Sequence, residues 1–170
     1  MLLYHGTTLT NSISIHHDKT LRCKIERYYN NEEFPTTDGY VYLSNRINHA
    51  IYYGNKNSVY SDEEYFAVYE IDICYDNLKI DIDELKYVAK LNDEEIKTFS
   101  VDSCLELVSS CRIDRDLTFG VDVKRYAVLP TTMNYKHELC DIAYEIISDR
   151  ENRDVDYLSE IRLKLPWVDI

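Results

Sequence analysis

Two short runs hold the residues of this chain that could do chemistry: Leu3-Tyr4-His5-Gly6-Thr7-Thr8, and Gly39-Tyr40-Val41-Tyr42-Leu43-Ser44 further along. An imidazole beside a glycine-threonine turn offers a hydrogen-bonding ring next to backbone amides that no side chain shields. A tyrosine on a second strand offers a flat ring with few torsions to freeze. Such groups suit a ribose, a carboxamide and the face of a heteroaromatic ring, which are the components of a nicotinamide nucleotide. Breaking the bond between that ring and its ribose spreads positive charge over the sugar, so a carboxylate close by would lower the barrier.

The elements that must position these groups are legible in outline. Leu2 to His5 reads as a strand, and Asn11 to His16, with Thr10 as cap, as a short helix leading to a strand near Thr20 to Ile25. Tyr28 to Asp38 is polar, contains Pro35 and reads as a loop. Val41 to Leu43 reads as strand, and Asn45 to Tyr53 has helical spacing with Ala50 inward and a glycine stop at Gly54. Tyr65 to Ile73 is the strongest strand, rich in aromatic and branched residues. Leu85 to Leu91 and Glu94 to Phe99 read as short helices, and Leu105 to Ser109, Ser110 to Ile113 and Arg125 to Leu129 as strands ended by Pro130. Asn134 to Ser148 carries an apolar helical stripe, and a last helix is expected near Val155 to Leu163. Many short strands without a strand-helix-strand repeat predict an α+β domain with a split, mostly antiparallel sheet and flanking helices, spanning residues 1 to 170 as one unit.

Over roughly residues 1 to 85 the chain resembles the ADP-ribosyltransferase superfamily of His-Tyr-acid type, which includes diphtheria-toxin-like, poly-ADP-ribose polymerase and rifampin-modifying enzymes, and the pattern is nearest the last. The resemblance implies that His5 bonds the nicotinamide-side ribose and that the Gly6 backbone, with Thr7 and Ser44 beside it, meets the carboxamide. It implies that Tyr42 stacks on nicotinamide and that Tyr52, or Tyr53 in its place, covers the other face. For the acid it points to Asp81, with Asp83 in reserve, as in the rifampin-modifying branch; the later placement of the polymerases and toxins offers only Glu106, Asp114 and Asp116. Arg22, Lys24 and Arg27 form a basic cluster that would suit a pyrophosphate, with Arg27 as the contact. The implied catalytic set is His5, Tyr42 and Asp81, NAD is the substrate, and no metal is needed. The expected activity is mono-ADP-ribosylation of a macromolecule, a target protein, in the setting of a phage or bacterial effector. A non-catalytic protein-binding module that keeps the fold, and an NAD glycohydrolase, are the alternatives.

Composition narrows the field. A formal charge of −12 disfavours nucleic acid as a partner, because phosphate binding needs a basic stripe. Five cysteines without metal or disulfide spacing suit a reducing, cytoplasmic compartment, and no run approaches the ~20 apolar residues of a membrane helix. Neither a dinucleotide-binding Gly-x-Gly-x-x-Gly nor a phosphate-cradling Gly-Lys-Thr is present, and no serine stands in a Gly-x-Ser-x-Gly setting, so dehydrogenase, nucleotide triphosphatase and serine hydrolase chemistry are disfavoured. His16, His17, His49 and His137 lack paired ligand spacing and read as surface or helix-face residues.

Overall fold

A computed structural model describes residues 1–24 and 36–170. The strands are β1 (Leu2–Thr8), β2 (Thr20–Leu21), β3 (Val41–Ser44), β4 (Tyr65–Asp72), β5 (Lys79–Ile80), β6 (Ser110–Ile113), β7 (Leu117–Thr118), β8 (Val123–Pro130) and β9 (Val168–Asp169). The helices are α1 (Leu9–Asp18), α2 (Ile47–Tyr60), α3 (Asp93–Ile96), α4 (Val101–Val108), α5 (Cys140–Ser148) and α6 (Val155–Lys164), with a π-helical turn over Glu84–Val88. Seven strands form one sheet in the order β5-β6-β3-β1-β4-β8-β9, and β2 pairs with β7 apart from it. Every neighbouring pair runs antiparallel, so the α+β expectation holds.

The seam between β1 and β3 positions the site. β1 is zipped to β4 along its whole length, from Leu2↔Asp72 to Thr8↔Phe66, whereas it meets β3 only at Tyr4↔Ser44. Beyond that pair the sheet opens. Alternation sends Leu3, Val41, Leu43, Ala67, Tyr69 and Ile71 into a core on one face, which α1 and the β2–β7 ribbon cover through Ile15, Leu21 and Leu117. Tyr4, Phe66, Val68 and Leu129 face the other way, onto Ile47, Ala50 and Ile51 of α2, Ile146 of α5 and Ile161 of α6. Each such large side chain taken fully out of water stabilises the fold by ~1.5–3 kcal/mol.

Several boundaries differ from expectation, each for a local reason. The first helix is capped by Thr8 rather than Thr10: the Thr8 hydroxyl accepts from the Asn11 amide, so the helix starts as β1 ends. Helix α2 runs through Gly54 to Tyr60 instead of stopping there. A Cβ at Gly54 would lie 2.7 Å from the Phe66 ring, so the glycine lets the helix approach β4. Leu105 to Ser109 belongs to α4 and its cap, not to a strand; Ser100 and Ser103 close a reciprocal cap, and Leu105 and Val108 fall on one buried side. Helix α5 is shorter than the Asn134 stripe suggested. Ile25 and most of the Tyr28 to Asp38 loop lie outside the described residues. No helix among the described residues is long and apolar enough to cross a membrane.

Candidate functional site

His5 sits where β1 and β3 diverge. Its Nδ1 donates to the Tyr42 carbonyl oxygen at 2.8 Å, which fixes the ring's tautomer and bridges the seam where ladder bonds have ceased. The two side chains leave the sheet differently. His5 shares a face with its β4 partner Tyr69, whereas Tyr42 shares one with Ser44 and with its β6 partner Arg112. The imidazole thus meets the tyrosine through its main chain, and the phenol ring reaches elsewhere.

The Tyr42 hydroxyl donates in a very short bond to Asp83, which also accepts from the Thr37 amide and hydroxyl, each at 2.8 Å. Burial, then the Asp83 carboxylate, hold the Tyr42 phenol well above its ordinary pKa, so it stays protonated. Arg112 approaches Asp83 to 3.7 Å and stacks its guanidinium 4.0 Å from the Tyr40 ring centroid. It is 5% exposed, and its Nε and Nη1 are buried without a hydrogen-bond partner among the described residues. Buried donors are rarely left so, and two on one guanidinium beside a carboxylate mark a place able to take further acceptor atoms.

A second tyrosine–carboxylate pair lies alongside. The Tyr53 hydroxyl donates to Glu84 at 2.7 Å, and the Tyr53 ring packs edge-on against His49 at 4.9 Å. Burial, with the charges of Asp81 and Asp83, pushes the Glu84 carboxyl up to about 7. His49 is held down at about 4 by burial and by Arg46, Arg153 and Arg150, so it is neutral at physiological pH.

The structure separates the residues singled out from sequence. Asp81 is fully buried: its carboxylate accepts from Ser110 Oγ at 2.6 Å and from the Glu84 amide at 3.1 Å, tying β6 to the π-helical turn. Burial pushes its pKa up. This aspartate is a structural cap, and Asp83, two residues on, is the acid that reaches Tyr42. Tyr52 packs edge-on against Tyr53 at 5.2 Å and under the Arg150 guanidinium at 4.6 Å, while Tyr53 is the one that bonds Glu84. Gly6 lies beneath α2, where a Cβ would fall 1.9 Å from the Ala50 carbonyl oxygen. The Thr7 hydroxyl accepts from Asn11, and the Ser44 hydroxyl donates to the Ser109 carbonyl at 2.6 Å, so both are spent on the frame. Glu106 lies in α4, while Asp114 pairs with Lys79 and Asp116 accepts from the Cys23 amide. Arg27 lies outside the described residues.

Two contributors, Arg112 and Glu84, escaped the sequence reading. Arg112 carried no signal in the letters, because only β3–β6 register sets it opposite Tyr42. Glu84 was visible as a residue type but needed the π-helical turn to meet Tyr53, which the sequence offered as the alternative to Tyr52. The thiols near the cluster are poor nucleophiles, since burial pushes Cys104 up to about 11 and Cys111 up to about 12. Among the described residues no group of histidine, cysteine and acidic side chains could hold a metal ion. No protein-family model and no curated protein matches the chain.

Proposed function

We propose that the protein is an NAD-dependent mono-ADP-ribosyltransferase acting on a macromolecular acceptor, a target protein. The observation that carries this reading is the opening of the sheet between β1 and β3, which His5 bridges through the Tyr42 carbonyl while the Tyr42 phenol, on the opposite face, meets Asp83. In this reading His5 orients the ribose at the seam. Tyr42 and Tyr53 supply ring faces for nicotinamide, and Arg112 supplies donors for an anionic or hydroxyl oxygen. As the nicotinamide–ribose bond breaks, the Asp83 carboxylate stabilises the cation that develops on the sugar.

The experiment is incubation of the purified protein with NAD labelled in its adenylate half, together with cell lysate, followed by separation of protein and measurement of free nicotinamide. Label on protein and release of nicotinamide are expected from the parent, and neither from His5→Ala or Tyr42→Ala. If the parent yields neither product, or the variants match it, the proposal is withdrawn. Glu84 favours one second reading. A carboxyl with a pKa near 7 beside the site could accept a proton from water, giving NAD glycohydrolase activity. Nicotinamide release without label on protein is the outcome that selects it.

A further inference from the structure

Ser109 and Ser110 separate a pair of environments: Ser110 bonds Asp81 of the acid cluster, whereas Ser109 borders a cleft of about 420 Å³ on its other side. The cleft opens between β1, the start of α2, the end of α4 and α6, and Tyr4, Arg46, Leu105, Arg153, Leu158 and Arg162 are among the residues that line it. In a chain of net charge −12, three guanidiniums on one cleft are out of keeping with the rest of the sequence. Two of them face carbonyl groups that fix their position without neutralising them. Arg46 donates to the carbonyls of Arg150 at 3.2 Å and Asn152 at 3.4 Å, and Arg153 donates to those of Glu106 and Leu107. Asn48 steadies the same connection by donating to the Asp149 and Asn152 carbonyls.

Arg46 is 5% exposed, and its Nε is a buried donor without a partner among the described residues. The carboxylates within reach do little to cancel it. Glu151 lies 3.9 Å away with its side chain 75% exposed, Glu106 is exposed, and Glu70 is taken by Arg125 and Arg162. Burial, then the charge of Arg153, hold the Arg46 pKa below its ordinary value, as expected of a like-charge pair still short of an anion. The apolar wall is Leu105 and Leu158, with the Tyr4 ring beside it.

We propose that this cleft binds a small phosphomonoester with an apolar body, its phosphate bridging Arg46 and Arg153 and its body lying against Leu105 and Leu158. Guanidiniums fixed by carbonyls suit a phosphate, which accepts several charge-assisted bonds at once. The assignment is independent of the dinucleotide reading, since no residue of that site is involved.

The test is calorimetric titration with phenyl phosphate, inorganic phosphate and phenol. Phenyl phosphate is expected to bind the parent saturably and more tightly than inorganic phosphate, and phenol not at all. The affinity for phenyl phosphate should fall about tenfold in Arg153→Ala, which removes one bidentate partner, and be lost in Arg46→Met, while Lys97→Ala binds as the parent does. Should Arg46→Met not fold, Arg153→Ala decides, because that side chain is exposed. Absence of saturable binding to the parent at millimolar phenyl phosphate, or equal affinity in the parent and Arg153→Ala, overturns the site. Equal affinity for phenyl phosphate and inorganic phosphate overturns the apolar half of the assignment.

Discussion

Asp81 and Asp83 are two residues apart and do different work. Asp81 is sealed beneath the π-helical turn on Ser110, while Asp83 holds the Tyr42 hydroxyl with its side chain 15% exposed. Asp83→Asn should therefore leave far-ultraviolet circular dichroism unchanged and, under the proposed transferase activity, cut nicotinamide release about 100-fold, the scale of losing one electrostatic contact to a developing charge. Asp81→Ala should instead cost ~2–3 kcal/mol in urea unfolding by leaving a buried hydroxyl and amide without their acceptor. The reverse pattern, a stable but inactive Asp81→Ala, would return the acid to Asp81. Glu84 adds a pH signature. Its pKa of about 7 in the fold stands above the ordinary 4.5, so between those values the folded chain keeps a proton that the unfolded chain has released. Stability should then decline as pH rises through that window and level off above it, by roughly 2 kcal/mol after allowing for partial exposure. Glu84→Gln keeps an acceptor for Tyr53 and removes the charge, so its urea midpoint should be the flatter of the two between pH 5 and pH 8.

At the scale of elements, one helix-on-strand contact decides whether the seam exists. Helix α2 lies on β1 through a pair of glycines, Gly6 and Gly54, and a Cβ on the first would fall 1.9 Å from the Ala50 carbonyl oxygen, which backbone cannot yield. Gly6→Ala is expected to cost more than ~3 kcal/mol or to abolish soluble protein, whereas Gly39→Ala, at φ +86 with open space around it, should cost only ~1 kcal/mol. Thermal melts of the two variants compare them directly, and a Gly6→Ala melt close to that of the parent would mean that α2 can lift from the strand without harm. The same contact shows what sequence could and could not convey. Strand β4 was plain because Tyr65 to Ile73 alternates between two buried faces. Gly54 read as a stop because a glycine that ends a helix and one that lets a helix touch a strand look alike until Phe66 is placed beneath it. Tyr42 and His5 were legible as a pair, yet the swing of Tyr42 toward Asp83 depends on β3–β6 register, which no local pattern carries.

Across the whole molecule, the C-terminal segment is fastened to the central sheet by one buried acid. Glu70 on β4 is 4% exposed and accepts from Arg125 of β8 at 2.6 Å and from Arg162 of α6 at 2.7 and 3.1 Å. Trp167 completes the fastening: its Nε1 donates to the Arg162 carbonyl at 2.7 Å, and the Arg125 guanidinium lies 4.4 Å from its ring. Burial alone would raise the Glu70 pKa, but the bonds from Arg162 and Arg125 outweigh it and leave the carboxyl below its ordinary 4.5. A depressed folded value means that the carboxylate contributes its full stabilisation above the unfolded pKa and loses it as pH falls through the folded one. Acid should accordingly loosen α6 and the last strand, and the chain's single tryptophan reports it. Trp167 emission is expected to shift red as pH falls below the ordinary 4.5 and through the lowered pKa of Glu70. Glu70→Gln leaves two guanidiniums facing a neutral amide and should cost ~3 kcal/mol at neutral pH, with emission already shifted and the acid step gone. An acid transition in Glu70→Gln at the parent's midpoint would place the fastening in the apolar contacts of Ile161 and Leu165 instead of in the charge.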